Sequence, residues 1–414
     1  MTESVRIRSE PRSGDRARAV RDGYDGKVRR GVPNVNLWHG RGIAARVLRF
    51  RMAKRARRPR VGGQELQREQ RVAERDIVVI GASAGGVEAV AALAGALPKD
   101  LAAAVFVVVH FPAHATSVLP RIISRRGGLR AEHAVDGAPI VPGCVYVAPP
   151  DRHLLVERGH MRLVRGPREN NARPAIDPLF RSAARAYGAR VIGVVLTGNL
   201  DDGTAGLMSI RSAGGLTVVQ NPDDAMYPGM PTSAIANVAV EHVLPLPEIA
   251  ALLAARVGEP VQDQEEGAVA RKQADEVGIS EMRRESIEAE RAGVPSGFAC
   301  PECSGVLWET ADDGLPRFRC RVGHAYSIES LLAGQGTALD AALWAAYRAL
   351  EERAALTERM AERMRERGQD RLADRFTEQT TETRVRADLI RRVLLTAPEE
   401  IPFVEQEPER SASD

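Results

Sequence analysis

The stretch IVVIGASAGGVEAV, residues 77–90, reads as a buried strand, a glycine-rich turn and the start of a helix. Ile77 to Ile80 are apolar at successive positions, so both faces of the strand need covering, as in a parallel sheet with helices on each side. The turn Gly81-Ala82-Ser83-Ala84-Gly85-Gly86 departs from the dinucleotide fingerprint G-x-G-x-x-G, because Ser83 replaces the glycine that lets backbone approach a pyrophosphate. The acidic ribose partner is missing as well: the next strand, Val105 to Val109, ends in His110, and Asp100 precedes it. The same residues fit G-x-S-x-G, in which a serine on a tight strand-to-helix turn is kept accessible by small neighbours. A helix starting near Gly86 would aim its N-terminal N–H groups and positive dipole end toward an oxyanion beside Ser83. A packing turn with an incidental serine is the plain alternative, so the partners of Ser83 decide.

Outward from this turn, β-branched runs alternate with alanine-rich segments of helical length. Strands are expected at Ile77 to Ile80, Val105 to Val109, Cys144 to Ala148, Val191 to Thr197 and Leu216 to Gln220. Helices are expected at Gly86 to Ala96, Ser117 to Arg125, Pro178 to Tyr187, Ala205 to Ala213, Pro231 to Ala236 and Pro247 to Val257. The pattern is that of an α/β fold: a doubly wound, mostly parallel, Rossmann-like sheet with flanking helices over 76–257. Ligands gather beyond the carboxyl ends of such strands, so the base and acid that a serine nucleophile needs should lie just past a strand. His110 directly follows the second strand. Asp201 and Asp202 follow Val191 to Thr197 across Gly198-Asn199-Leu200, and spacing alone leaves the choice between them open. His114, His133, His153 and His160 are assigned to loops or surface, and His242 to a position ahead of its strand.

The average composition hides an asymmetry. Of 414 residues, 44% are apolar and 27% charged, with a net charge of +3. Residues 1–75 hold 21 Lys and Arg against 8 Asp and Glu, so a basic arm precedes a body with ten more negative than positive charges. The arm, rich in Arg and Gly, is expected to be disordered, with Met52 as an alternative start. A nucleic-acid or anionic-lipid contact by this arm is the lesser reading, and nucleic acid is not expected as a partner. No run approaches the roughly 18 apolar residues of a membrane span, four cysteines are too few for a disulfide framework, and no secretory signal opens the chain; a cytoplasmic protein is expected.

Residues 258–295 read as a charged linker. Cys300, Cys303, Cys320 and His324 then follow the spacing C-x₂-C-x₁₆-C-x₃-H, a Cys₃His pattern for structural zinc within a ribbon-like segment at 296–330. Trp308 and Phe318 are its expected strand residues and Gly314 its turn. About 30 residues have too little core to fold without such a staple. Cys144 is read as a buried apolar residue. From Thr337 the chain is helix-forming, with Leu339, Leu343, Ala346, Leu350, Leu356 and Met360 as its apolar positions. Gly368 divides it into a hairpin over 337–396, an interaction element for a signalling partner, and 397–414 is a tail.

Several blocks of 76–257 together resemble the catalytic domain of chemotaxis protein-glutamate methylesterases. They are IGASAGG (80–86), VVVHFP (107–112), VYVAPPDRHLL (145–155), RPAIDPLFRSAA (173–184), VVLTGNLDDGTAGL (194–207) and YPGMPTSAI (227–235). The resemblance implies Ser83, His110 and Asp202 as a catalytic triad, and so chooses Asp202 over Asp201; it also implies backbone N–H groups near Ala84 and Gly85 as oxyanion donors. It implies hydrolysis of glutamate methyl esters on the cytoplasmic helical bundle of a chemoreceptor, deamidation of glutamine by the same machinery, and no catalytic cofactor. Two departures stand out. The usual M-G-x-D turn reads Asn199-Leu200-Asp201-Asp202, altering the loop beside the oxyanion side. A receiver domain is also expected to be absent, because the 75-residue arm is too short and lacks its strands. The ribbon and helices more loosely resemble C-terminal extensions of stand-alone methylesterase-like proteins. A non-catalytic signalling adaptor built on the ribbon and helices is the alternative, against which the triad argues.

Overall fold

The computed structural model describes residues 73–262, 293–312 and 315–396, together with Gly278. All fall in one unit of the fold, Glu69–Asp414. The arm up to residue 72, most of the linker, Gly314 and the tail lie outside the described residues.

The chain runs through β1 (Ala73–Glu74), β2 (Ile77–Ala82), α1 (Gly86–Ala96), β3 (Ala104–Val109), α2 (Leu119–Arg126), β4 (Arg130–His133) and β5 (Cys144–Val147). It continues through β6 (His153–Glu157), β7 (His160–Val164), α3 (Ile176–Tyr187), β8 (Val191–Val195), α4 (Thr204–Ser212) and β9 (Leu216–Gln220). Then follow α5 (Gly229–Asn237), β10 (His242–Leu244), α6 (Leu246–Arg256) and β11 (Pro260–Val261). Seven strands form one parallel sheet in the order β10-β9-β8-β2-β3-β5-β4.

Alternation along the strands sorts the core into two layers. Val78, Ile80, Val105, Val107, Ile192 and Val194 pack against Val90 and Leu93 of α1, Ile123 of α2 and Leu253 of α6. Ile77, Val79, Phe106, Val108, Val191 and Val195 pack against Phe180 of α3, Leu207 of α4, and Leu154 and Val156 of β6. Each such side chain contributes about 1.5–3 kcal/mol on burial, more than a typical single hydrogen bond, so the sheet fixes where the strand ends lie.

Four expectations need correcting. His153 is fully buried at the start of β6: Nε2 donates to Pro167 O (2.8 Å) and Nδ1 accepts from Ala175 N (3.2 Å). Burial keeps this imidazole neutral, with its pKa below the usual value. It is drawn inside because β6 and β7 pair as a hairpin and lay Leu154 and Val156 onto the sheet. His133 ends β4 and His160 begins β7, strand positions rather than loops, with the His160 side chain at the surface as expected; His242 begins β10, its backbone pairing with Val218. Cys144 is only half-buried at the start of β5. Finally, Ala73–Glu74 and Pro260–Val261, assigned to arm and linker, pair antiparallel as β1 and β11.

Downstream, β12 (Val294–Ala299), β13 (Val306–Asp312), β14 (Leu315–Cys320) and β15 (Ala325–Tyr326) form an antiparallel sheet in that order. Cys300, Leu307, Phe318, Cys320, Tyr326 and Leu331 make its small core. Two long helices follow, α7 (Ile328–Glu366) and α8 (Asp370–Leu395), with Gly368 between them. The first begins nine residues before the expected Thr337 because Ser327 caps it. Its Oγ accepts from Ser330 N (3.0 Å) while Ser330 Oγ accepts from Ser327 N (3.2 Å).

The seam between the helices has heptad spacing: Leu343, Tyr347, Leu350, Ala354, Thr357, Ala361 and Met364 on α7, and Ala373, Phe376, Thr380, Thr383, Ala387, Ile390 and Leu394 on α8. Leu343 and Leu350 were expected there. Leu339, Ala346, Leu356 and Met360 are exposed instead, Leu339 because it lies beyond the reach of α8 and the other three because the heptad passes through Leu343, Tyr347, Leu350, Ala354, Thr357 and Ala361. Among the described residues no helix is long and apolar enough to cross a membrane.

Candidate active site

In the sheet order β8-β2-β3, the chain leaves β2 to one side and returns to the other, which opens a crevice at the carboxyl ends of these strands. Ser83 lies one residue past β2, held by its N–H to Thr197 O (3.0 Å). Gly85 then takes the left-handed conformation (φ 70°), and any Cβ there would lie 3.1 Å from Met226 Cβ and 3.3 Å from Thr197 Oγ1. Gly198 meets a comparable limit, since a Cβ would overlap Met230 Sδ and crowd Ser83 Cβ. Gly86 N donates to Ser83 O (2.9 Å) as α1 begins. Among the described residues neither Ala84 N–H nor Gly85 N–H has a protein acceptor.

His110 directly follows β3, its N–H on Ala82 O (3.3 Å). The ring spans the other two groups: Nδ1 is 3.1 Å from Ser83 Oγ and Nε2 is 2.8 Å from Asp202 Oδ2. With the carboxylate ionised, Nε2 carries the hydrogen and Nδ1 presents its lone pair to the serine hydroxyl.

Asp202, 2% exposed, accepts four hydrogen bonds. Oδ2 takes His110 Nε2 and Ile176 N (2.7 Å); Oδ1 takes Asn170 Nδ2 (2.9 Å) and Asp177 N (3.2 Å). Burial pushes this carboxyl up, but the donors, His110 foremost, outweigh it and hold the group below the usual range. Ile176 N and Asp177 N are the first two amides of α3, so Asp202 caps that helix from outside.

Sequence reasoning missed two partners. Asp177 returns the favour to α4: its Oδ1 accepts from Gly203 N (3.1 Å) and Gly206 N (2.7 Å), and burial, then the charge of Asp202, pushes its carboxyl up to about 6. Asn170 donates one Nδ2 hydrogen to Asp202 and the other to Asp177 Oδ2 (3.0 Å). An acid in the first turn of a helix without its own side-chain cap was the available signal for Asp177; nothing in the sequence singled out Asn170.

Asn199 is exposed on the outer loop, beside Leu200 with φ 62°. Asp201, 8% exposed, turns away from His110 toward Ser330 Oγ (3.3 Å). Burial, and then the nearby charges of Glu329, Asp177 and Asp202, push its carboxyl up to about 7 against the hydrogen bond from Ser327. The unfolded chain releases this proton near its ordinary value of 3.8, so Asp201 lowers stability progressively as pH rises from about 4 to about 7. Asp201→Asn is expected to leave stability unchanged at pH 4 and raise it by up to about 4 kcal/mol at pH 8, read by denaturant unfolding at both pH values. An equal change at both would contradict the assignment.

The ribbon brings Cys300, Cys303, Cys320 and His324 together, their ligand atoms all within 4.8 Å of one another. Cys303 Sγ lies 3.6 Å from Cys320 Sγ, and His324 Nδ1 lies 3.6 Å from Cys300 Sγ and 3.5 Å from Cys320 Sγ.

A hydroxyl, an imidazole and a buried carboxylate thus stand in hydrogen-bonded sequence beyond three adjacent strands. Residues 78–253, the α/β domain, match the family model described as CheB methylesterase. The chain is similar to protein-glutamate methylesterase/protein-glutamine glutaminase 4 of Anaeromyxobacter dehalogenans (strain 2CP-C), 42% identical over 187 residues, 44% of this chain and 52% of the relative. It is also similar to protein-glutamate methylesterase/protein-glutamine glutaminase 1 of that organism, 39% identical over 222 residues, 51% of this chain and 63% of the relative. The chain thus spans about half to two thirds of the length of these curated relatives. A solved structure, the Thermotoga maritima CheB methylesterase catalytic domain, aligns with 33% identity and a TM-score of 0.44, covering 45% of this chain and 100% of that one.

Proposed function

We propose that this chain is a serine hydrolase that demethylates glutamate methyl esters, and deamidates glutamines, on a chemoreceptor-like signalling protein in the cytoplasm. The observation that carries the reading is the hydrogen-bonded line Ser83–His110–Asp202 within a CheB methylesterase domain. Ser83 Oγ attacks the ester carbonyl as its proton passes to His110 Nδ1, and Asp202 holds the imidazolium through Nε2. The oxyanion is met by Ala84 N–H and Gly85 N–H at the positive end of α1, with Asn199 on the bordering loop. His110 returns the proton to the departing methanol, or to ammonia from glutamine. It then draws a proton from water, which attacks the acyl-serine, frees the glutamate and restores Ser83. Every proton has a donor and an acceptor among these groups, so no catalytic cofactor is needed. Leu200, Met226 and Tyr227, 39%, 64% and 40% exposed, rim the crevice and suit the apolar flank of a helical substrate.

A methylated receptor cytoplasmic fragment incubated with the full chain is expected to release methanol and gain one carboxylate per event. No methanol above the level of the untreated fragment would overturn the reading.

Cys300, Cys303, Cys320 and His324 are proposed as ligands of structural zinc. Bonds of about 2.3 Å to sulfur and about 2.0–2.1 Å to nitrogen in a tetrahedron give S···S edges of about 3.8 Å and S···N edges of about 3.6 Å, close to the separations found here. Metal analysis of the full chain is expected to return one zinc per chain. Strong chelation should unfold the ribbon and expose the three thiols to a thiol reagent. A metal-free preparation with fully protected thiols would refute the site.

A further inference from the structure

The segment 168–171 carries Asn170, whose side chain bridges Asp202 and Asp177, and it is also where the ribbon meets the α/β domain. Asn170 N donates to Ala325 O (2.9 Å) and Ala325 N to Arg168 O (3.2 Å), so β15 continues onto this segment through a backbone bridge. Glu169 is buried between Arg181 of α3 (2.5 Å) and Arg317 of β14 (3.1 Å). Burial would raise its carboxyl, but Arg181, Arg319 and Arg317 hold it well below the usual range, so the joint is ionised and closed. At the rim Arg168 pairs with Glu302 (2.7 Å), and Asn171 Nδ2 donates to Ser330 O (2.7 Å).

The side-chain amide of Asn170 is fixed from both ends. Both Nδ2 hydrogens go to carboxylates, Asp202 and Asp177. Oδ1 accepts from Ser330 Oγ (3.1 Å), whose single hydrogen is shared with the slightly more distant Asp201 Oδ1 (3.3 Å), and from Ser327 N (3.4 Å), which also faces Ser330 Oγ (3.2 Å); both donors lie at the start of α7. Thus the donors on the oxygen come from the C-terminal module, and those accepting from the nitrogen lie in the α/β domain. Turned over, the amide would set its oxygen against two carboxylates and its hydrogens against two donors. The backbone needs this holding, because Asn170 and Asn171 are both left-handed (φ 50° and 62°), a conformation that asparagine tolerates but does not prefer.

We propose that the first turn of α7 is a positioning element for the catalytic carboxylate, with Ser330 as the positioning residue, so that the ribbon forms an integral part of the active site. Ser330 Oγ orients Asn170, Asn170 holds Oδ1 of Asp202, and Oδ2 is thereby presented to His110 Nε2. The inference rests on the hydrolase reading above.

The test uses the full chain with Ser330→Ala, and Ser330→Cys, which keeps the size but donates weakly, in case the alanine variant does not fold. Three readouts are taken: kcat and KM for methanol release, the rate at which a fluorophosphonate labels Ser83, and the downfield proton resonance of the His110 Nε2–H. Loss of one hydrogen bond in the line is expected to lower kcat and labelling about tenfold, leave KM within about twofold, and shift or broaden the His110 resonance. Arg168→Gln, which removes the rim ion pair and leaves the amide alone, should stay near wild type in all three. Unchanged labelling and resonance in the Ser330 variants would overturn the proposal, and so would an equal loss in Arg168→Gln, which would mean general loosening. If the wild type labels but releases no methanol, the substrate reading fails while labelling still decides this one. If it does neither, the resonance decides.

Discussion

Ser83→Ala is expected to reduce methanol release by about 10⁴-fold or more while leaving thermal unfolding unchanged. Among the described residues the serine hydroxyl makes one hydrogen bond, with His110, and the turn itself is built from backbone bonds to Thr197 and by Gly85. Removing Oγ therefore takes away the nucleophile and little structure. His110 and the amides of Ala84 and Gly85 stay in place, so a slow direct attack by water is the only route left. Substantial residual turnover, measured on the same methylated fragment, would show that the acyl group is never carried on Ser83.

Asp202→Asn is expected to be nearly as damaging to turnover, by about 10³–10⁴-fold, and, unlike the serine change, to lower stability. All four positions around the carboxylate hold donors: His110 Nε2, Ile176 N, Asn170 Nδ2 and Asp177 N. An amide nitrogen has no acceptor to face among them. Pointed at His110, it forces Nε2 to accept and moves the ring hydrogen to Nδ1, where the proton of Ser83 must arrive. Pointed the other way, it meets Asn170 and Asp177 N and uncaps α3. The measurements are kcat, fluorophosphonate labelling and denaturant midpoint; a variant with normal labelling would remove Asp202 from the mechanism.

The positions of Ser83, His110 and Asp202 were legible because each sits beyond a strand whose apolar run is unmistakable. Where the sheet's β-branched runs end, the site residues follow within a few positions. The hairpin β6–β7 and strand β10 were harder to read, since they are short and begin with histidines that look like surface residues. His153 became a core residue only because tertiary packing of Leu154 and Val156 overrode its polarity. Asn170 could not be singled out at all: its role depends on Ser330, 160 residues away, meeting it in space. The choice between Asp201 and Asp202 came from resemblance, and its physical basis is that the two carboxylates leave the turn in opposite directions, one to His110 and one to Ser330.

Asp202 and Asp177 each cap the helix that the other belongs to or precedes, so the two helices are clasped through the acid of the proposed proton relay. This links chemistry to architecture unequally among the three residues. A lineage that abandons turnover can discard the hydroxyl or the imidazole at small cost to folding, but discarding the aspartate also unclasps α3 from α4. In descendants of this chain that have turned from hydrolysis to scaffolding, substitutions should therefore gather at Ser83 and His110, with Asp202 left behind as a relic of the lost activity.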